Sequence, residues 1–362
     1  MKKYLEHGMS SKSKTKKKVG FIIFLSVVIV ILLAFLFAFR FYLDKTKAVS
    51  NESETVFFTI NEGDYMSDVI DKLYDAGLIQ DKKITKLFVK LNKVNDYYAG
   101  NYVLDKNMSL AQIFAHLSDQ SNASVQEVTV TIVDGYWAKD AAEAISEKTN
   151  LTYQQIMDKW NDMEYIDSLM DKYQFLTEDI FNSEHCYLEG FIYPETYNFY
   201  SVTTVEQVTE KILDYANDVY LRYADQIKDS NMSTYQVYTL ASMILFEANN
   251  QHDMELVSSV FHNRLDDDYL LQSSVTVCYA LYNYDSWQQC ETNTDIDSKY
   301  NTYKYAGLPI GPICNPNEMA INAALNPAVS NYYYFIADVD TGKVYFSETY
   351  QQHLQLIDKY LN

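Results

Sequence analysis

An uncharged apolar stretch near the amino terminus restricts the fold of this chain more than any other feature. Residues 21–39, FIIFLSVVIVILLAFLFAF, contain no charged side chain. As a helix this stretch would extend over about 28 Å, enough to cross the hydrocarbon core of a bilayer. A cleaved secretory signal is the alternative, but the stretch is longer than a typical signal core and no small-residue cleavage site follows it. We therefore predict an uncleaved transmembrane helix at residues 20–40.

The basic residues around this stretch predict its orientation. Residues 1–19 contain seven lysines, whereas only Arg40, Lys45 and Lys47 follow closely after the stretch. Because basic residues favour the cytoplasmic side, we expect a cytoplasmic tail at residues 1–19 and the remainder outside the cell. The tail carries a charge of +6, so the rest of the chain carries −26 within the total of −20. That acidity argues against nucleic acid and anionic lipid as ligands.

Hydrophobic periodicity after the membrane segment predicts an α+β region in two parts. A polar linker at residues 41–54 leads to a module at residues 55–122, whose pattern indicates the order strand, helix, helix, strand, helix. The second part, residues 123–362, opens with the alternating valines and threonines of a strand and continues with mostly helical patterns. It ends in mixed helices and strands, among them a predicted hairpin that turns at residues 340–342.

A single glutamate, Glu247, lies near the end of the apolar run TLASMILFEANNQ. Ser233 and Gln236 have the spacing of a capping box, which predicts a helix start there. Helical spacing then places Glu247 at the edge of the apolar face formed by Leu240 and Ile244. Loss of water raises the pKa of such a carboxyl, and a rise from about 4.3 to about 6 needs only about 2.3 kcal/mol. Glu247 is therefore a candidate general acid; the alternative is a structural glutamate at a helix edge.

Cysteine and histidine spacing predicts neither a metal site nor a cofactor. The four cysteines, Cys186, Cys278, Cys290 and Cys314, lack the close paired spacing of zinc ligands, and the histidines show no helical pairing either. Cys278 and Cys290 either form a disulfide or remain isolated thiols, because spacing alone does not supply the geometry of a bridge.

The segment YNTYKYAGLPIGPICNPN, residues 300–317, has an unusual density of proline and glycine. Rigid and permissive backbone in one place predicts a shaped loop. Such loops with asparagine and tyrosine often line polar, sugar-like ligand sites, although an ordinary tight connection would have a similar composition.

Several sequence blocks together resemble the endolytic murein transglycosylase (YceG-like) family. They are LEGFIYPETY, LASMILFEA, VFHNRL, LQSSVTVCYAL, YNTYKYAGLPIGPICNP, AINAALNPA and YYYFIAD, in the order of that family. The resemblance covers essentially the whole region after the membrane segment. It implies one amino-terminal membrane helix, a LysM-like subdomain at residues 55–122 and a mixed α/β catalytic domain at residues 123–362.

The resemblance also implies a reaction. A family member is a lyase that cuts the β-1,4 bond between N-acetylmuramic acid and N-acetylglucosamine in nascent peptidoglycan strands, which are its partner, and leaves 1,6-anhydro ends. The family's catalytic glutamate matches Glu247, which would first protonate the glycosidic oxygen. It would then take the proton of the muramoyl C6 hydroxyl as that hydroxyl attacks C1. Because the substrate supplies its own nucleophile, one carboxylate can serve where a glycosidase normally needs two.

The loop and the matching blocks predict the residues that bind the glycan. Their amide, hydroxyl and carboxyl groups suit sugar hydroxyls. The predicted substrate-binding residues are Gln272, Asn301, Tyr303, Glu189 and Asn263.

Three positions around Glu247 depart from the family pattern. Leu245, Phe246 and Ser274 stand where the family has glutamate, lysine and aspartate. If the missing charges orient the sugar or tune the acid, activity falls; if they are peripheral, a drier pocket favours protonated Glu247. The alternative to an active enzyme is therefore a weakened relative that binds glycan and acts as a scaffold for cell-wall synthases.

Overall fold

The computed structural model describes residues 9–123, 125–286, 288–338 and 341–360, without the side chains of residues 9–20, 22 and 23. It divides into two compact units, Met1–Gln126 and Glu127–Asn362. Lys2 and Lys3 of the predicted cytoplasmic tail lie outside the described residues, as do the side chains of its other lysines.

The chain begins with a long apolar helix, α1 (Met9–Lys45). Its stretch Phe24–Lys45 contains an 18-residue window with a mean hydropathy of 2.7, and none of that window is buried within the protein. By length and composition this stretch could cross a membrane. A row of exposed phenylalanines and leucines is unfavourable in water, so α1 is compatible with the predicted membrane helix.

The first unit continues as a small α+β module in the predicted element order. Its elements are β1 (Thr55–Ile60), α2 (Met66–Asp75), α3 (Lys82–Asn92), β2 (Gly100–Asp105), α4 (Leu110–Leu117) and a 3₁₀ turn (Gln120–Ala123). β1 and β2 pair antiparallel, with Phe58 opposite Tyr102. One face of this pair and the apolar faces of the helices form a separate core.

The segment directly after α1 is attached to this module by hydrogen bonds. The backbone N–H groups of Val49 and Ser50 both donate to the Lys106 carbonyl, and the Leu110 N–H donates to the Thr46 carbonyl. The Gln80 side-chain amide donates to the Ala48 carbonyl. Part of the segment that we predicted to be a linker is therefore fastened to the folded module.

The second unit is larger and mostly helical. Its elements are β3 (Glu127–Thr131), α5 (Ala138–Ser146), α6 (Tyr153–Trp160), α7 (Met163–Met170), a 3₁₀ turn (Glu178–Asn182), β4 (Thr196–Tyr200), α8 (Val205–Asp229), α9 (Thr234–Glu247), α10 (Gln251–Asp266), α11 (Ser274–Leu281), α12 (Gln288–Thr292), α13 (Glu318–Leu325), β5 (Tyr334–Asp338), β6 (Lys343–Ser347) and α14 (Tyr350–Tyr360). β3 pairs with β4, and β5 with β6, both antiparallel. The predicted α+β class is confirmed. Asp340 of the predicted hairpin turn lies outside the described residues.

Helix α9 lies at the centre of the second unit. It begins as predicted, because Ser233 and Gln236 exchange the two hydrogen bonds of a capping box. The sequence predicted an apolar stripe on one side, but every residue from 237 to 244 is buried. α13, α10 and α11 all pack against it, and a helix enclosed in this way is buried on all faces.

Two features hold the surroundings of α9 in place. A Cβ atom at Gly311 would lie 2.1 Å from the Tyr235 hydroxyl, so only glycine lets residues 300–317, the proline-rich loop, approach the helix this closely. A disulfide joins Cys278 in α11 to Cys290 in α12, whereas Cys186 and Cys314 are buried free thiols. The structure thus selects the bridged alternative for the first pair.

Candidate active site

Glu247 is the last residue of α9 and is half-buried. Its Oε1 accepts a hydrogen bond of 2.8 Å from the Ser273 hydroxyl. Burial raises the pKa of Glu247 to about 6, although the Ser273 hydrogen bond and the positive charge of Arg264 oppose the rise. The carboxyl also lies at the negative end of its helix, which disfavours the charged form further. Close to neutral pH this group can both give and take a proton.

Ser273 is directed at Glu247 by the start of α11. It occupies the N-cap position, where a serine side chain usually accepts from its own helix. Here its side chain makes no cap hydrogen bond and turns to Glu247 instead. The Ser273 N–H donates to the Thr302 hydroxyl at 3.1 Å, which fixes the backbone beneath this contact.

Arg264 in α10 stabilises the backbone close to Ser273 and Glu247. Its side chain is buried, with Nε donating to the Tyr333 carbonyl and Nη1 to the Leu271 carbonyl, both at 2.6 Å. The guanidinium also lies 5.2 Å from the centre of the Tyr334 ring. Arg264 therefore ties the segment that leads to Ser273 to the start of β5, and its charge favours ionised Glu247.

The structure brings two of the predicted binding residues to this region. Burial, and after it the negative charge of Glu247, raises the pKa of Tyr303, so the two side chains are within electrostatic reach of each other. Gln272 directly precedes Ser273 and has an exposed side chain. Its backbone has a positive φ of 51°, and its N–H donates to the Thr302 carbonyl. Gln272 and Tyr303 thus lie on paired segments beside the acid.

The side chains of the two predicted asparagines donate hydrogen bonds to backbone carbonyls. Asn301 is buried, and its amide donates to the Thr294 and Ile296 carbonyls at 2.8 Å each. The Asn263 amide donates to the carbonyls of Ser330 and Tyr332. Both side chains shape loops near the acid, and their contact with a glycan stays a prediction.

Glu189 is the centre of a separate buried group. Its two oxygens accept from the Ala138 N–H at 3.0 Å each, from the Tyr279 hydroxyl at 3.0 Å and from the Asn315 amide at 3.3 Å. Ala138 is the first residue of α5, so the carboxyl sits at a helix amino terminus. Burial nevertheless raises the pKa of Glu189 to about 8. These partners join α5, α11 and the proline-rich loop around one carboxyl.

We expect Glu189→Gln to reduce the pH dependence of stability. A raised pKa in the folded state gives stability that is complete below about pH 4.5 and is lost as pH rises through about 8. This group should therefore lower the parental free energy of unfolding by on the order of 4 kcal/mol over that range, and the uncharged glutamine should not. The control is Glu127→Gln, at an exposed position in β3.

Urea unfolding at pH 5 and pH 8 measures this difference. Trp137 and Trp160 lie in the second unit and residues 1–126 contain no tryptophan, so tryptophan fluorescence reports unfolding of the second unit. Equal pH dependence in the parental chain and Glu189→Gln would contradict the prediction.

Ser273 and Arg264 were not among the predicted site residues. Each directly follows a residue that was, Gln272 and Asn263, inside the blocks LQSSVTVCYAL and VFHNRL. That adjacency was the available signal. In the part of the chain that the structure describes, no three His, Cys, Asp or Glu side chains come together as a candidate metal site.

The three departures from the family pattern surround the end of α9. Leu245 packs against the core, Phe246 is 44% exposed, and Ser274 is the first residue of α11. None of these three side chains is charged, and the positive charge that lowers the pKa of Glu247 is that of Arg264.

The similarity of this chain to known proteins extends over most of its length. The sequence model of the YceG-like family matches residues 58–359. An endolytic murein transglycosylase of Streptococcus pneumoniae serotype 2 is 29% identical over 360 residues, which are 95% of this chain and 65% of that protein. The chain thus spans just under two thirds of the streptococcal relative. An endolytic murein transglycosylase of Bacillus subtilis is 31% identical over 311 residues, 85% of each chain.

A solved structure is also similar. The 2.6 Å crystal structure of a YceG-like protein from Listeria monocytogenes is 32% identical, with a TM-score of 0.60, and covers 84% of this chain and all of that one. Because the family model and the Bacillus relative both extend over most of its length, this chain belongs to the YceG-like family.

Proposed function

We propose that this protein is a membrane-anchored endolytic lytic transglycosylase of peptidoglycan. It would cleave β-1,4 bonds between N-acetylmuramic acid and N-acetylglucosamine in nascent strands and form 1,6-anhydro-N-acetylmuramic acid ends. The observation that carries the proposal is Glu247, a carboxyl with a pKa of about 6 inside the region that the YceG-like family matches. The names of the streptococcal and Bacillus relatives support it.

In the first step Glu247 acts as an acid. At pH 6 about half of its carboxyls hold a proton, given its pKa of about 6. That proton passes to the glycosidic oxygen as the bond from muramoyl C1 breaks and positive charge develops on the sugar ring. Ser273 holds Oε1 by its hydrogen bond, so we assign the proton transfer to Oε2.

In the second step the same group acts as a base. The carboxylate takes the proton of the muramoyl C6 hydroxyl while O6 bonds to C1 and closes the anhydro ring. Glu247 gives up one proton and regains one, and no water is consumed. Between the steps the Ser273 hydroxyl and the charge of Arg264 stabilise the carboxylate. A hydrolase would need a second carboxylate to activate water, and this route does not.

The remaining residues position the strand. Tyr303 and Gln272 are the proposed sugar contacts beside the acid. Asn301, Asn263 and Glu189 remain predicted substrate-binding residues, although their side chains also hydrogen-bond to groups within the protein. We also propose that residues 55–122 form a LysM-like glycan-binding subdomain and that residues 123–362 form the catalytic domain.

Analysis of glycan ends tests the proposed reaction. Purified protein incubated with uncrosslinked strands should generate new ends that are one water lighter than hydrolytic ends. Hydrolytic ends would indicate an enzyme that uses water. Strand binding without new ends would favour the alternative, a glycan-binding scaffold for cell-wall synthases.

The proposed topology gives a separate prediction. α1 would anchor the chain with its amino terminus in the cytoplasm, because the lysines precede the apolar stretch. Protease added to intact, wall-stripped cells should degrade the region after α1 and leave a cytoplasmic marker protein whole. Protection of both proteins until lysis would reverse the topology.

A further inference from the structure

A cavity of about 610 Å³ opens in the second unit beside the carboxyl end of α9. Its volume is within the range of small-ligand sites. Aromatic and polar side chains line it, among them Trp137, Lys139, Phe246, Tyr282, Tyr284 and Gln289.

This cavity begins next to the proposed acid. Phe246 and Glu247 are consecutive, so their Cα atoms are about 3.8 Å apart. Phe246 is 44% exposed, and its ring lies over Gly135, where an added Cβ would be 3.5 Å from a ring carbon. Consecutive helix positions project about 100° apart, so a sugar ring on Phe246 would lie on the side of α9 adjacent to the Glu247 carboxyl.

The walls of the cavity are held firmly. Tyr282 stacks on Trp137 with ring centres 5.4 Å apart and planes within 15°. The Lys139 ammonium lies 4.4 Å from the centre of the Trp137 ring and 4.1 Å from the centre of the Tyr282 ring. It also donates a hydrogen bond to the Tyr282 carbonyl. Tyr282 has a φ of 58°, which is unusual for a bulky residue and persists only where packing enforces it. The Cys278–Cys290 disulfide brackets this segment.

The lining suits a neutral pyranose. Flat aromatic faces pack against the apolar face of a sugar ring, and amides and carboxylates at the rim accept or donate hydrogen bonds to its hydroxyls. The cation of Lys139 is accompanied by two acids in the lining, Asp140 and Asp285. A sugar that carries a carboxylate or an acidic peptide would gain little from this charge balance.

We propose that this cavity binds the neutral N-acetylglucosamine unit on the leaving side of the cleaved bond. This inference rests on the proposed function, in which that unit and a muramoyl unit flank the acid. With the neutral ring on Phe246, the muramoyl unit lies on the side of Ser273 and Tyr303. Phe246, a departure from the family pattern, then contributes an aromatic surface in place of a charge.

Binding of chitotetraose, a neutral probe, tests the proposal and is followed by tryptophan fluorescence of the full chain. All variants carry Glu247→Gln, which prevents turnover of the probe. Trp137 lines the cavity and no tryptophan lies in the first unit, so sugar binding by the first unit does not contribute directly to the signal. We expect Phe246→Ala and Tyr284→Ala each to raise the half-saturating concentration about tenfold. Phe246→Tyr should keep it, and so should Leu221→Ala at an exposed position in α8.

Phe246 and Tyr284 are 44% and 41% exposed, so their truncation should leave the fold intact, which circular dichroism verifies. Equal midpoints in the parental and truncated chains, or no fluorescence change with the probe, would overturn the proposal. Free N-acetylmuramic acid that competes better than free N-acetylglucosamine would also overturn it. If the parental chain forms anhydro ends but truncation of Phe246 or Tyr284 leaves probe binding unchanged, this subsite alone is refuted. If truncation shifts the binding midpoint but the parental chain forms no anhydro ends, the proposed reaction alone is refuted.

Discussion

We expect Glu247→Gln to lower the release of anhydromuramic ends by at least about 10²-fold, the usual loss when general acid catalysis is removed. Glutamine keeps the shape of the side chain, and its amide oxygen can still accept from Ser273. It cannot deliver a proton, so the glycosidic oxygen would leave as an unprotonated alkoxide. The measurement is the rate at which new ends appear on purified strands, with Glu348→Gln at an exposed position as control.

The cleavage rate of the parental chain should depend on pH in the way that the pKa of Glu247 requires. Because burial raises the pKa of Glu247 to about 6, the protonated fraction falls as pH rises beyond 6, and cleavage should fall with it. The sign for stability follows from the same shift. Stability from protonated Glu247 is complete below about pH 4.5 and is lost as pH rises through about 6, so Glu247→Gln should be at least as stable as the parental chain at pH 8.

Two outcomes would contradict this assignment in different ways. Glu247→Gln that forms anhydro ends at the parental rate would place the acid elsewhere. A parental chain that forms none under any condition would indicate a retired enzyme, with Leu245, Phe246 and Ser274 as the marks of that loss.

Arg264→Met should have the largest effect on stability, a loss of about 3–5 kcal/mol. Methionine fills part of the volume but leaves the carbonyls of Tyr333, Leu270 and Leu271 without their donor. Each buried acceptor that loses its partner costs about 1–3 kcal/mol. Urea unfolding followed by tryptophan fluorescence measures the loss.

The same substitution at Arg222 is the matched control. Its side chain is 51% exposed and pairs with Glu318, so Arg222→Met should cost at most about 1 kcal/mol. Arg264→Met should also move the falling limb of the pH profile to higher pH, since the positive charge that lowers the pKa of Glu247 is gone. Equal losses in the two variants, or an unmoved pH profile in the folded fraction, would contradict the role given to Arg264.

Local sequence signals were sufficient for the elements that depend on neighbouring residues. The capping pair Ser233 and Gln236 marked the start of α9, and the helical phase placed Glu247 at a partly desolvated position. The element order of the first unit followed from alternation and helical spacing in the same way.

Contacts distant in sequence were not accessible by this route. Ser273 meets Glu247 across 26 residues, and Arg264 meets the Tyr333 carbonyl across 69. No periodicity within either segment encodes such a meeting. The burial of α9 on all faces depends on α13, which lies more than 70 residues further along the chain. The burial of Asn301 could not be predicted either, because loops are usually exposed, whereas this loop folds its own carbonyls around the Asn301 amide.

The attachment of residues 46–50 limits how far the folded part of the first unit can lie from α1. A free linker would let the folded region wander outward, since an extended chain adds up to about 3.5 Å per residue. The hydrogen bonds of Thr46, Ala48 and Val49 remove most of that slack directly after α1. If α1 spans a bilayer, as we propose, these hydrogen bonds hold the folded part of the first unit close to the membrane surface.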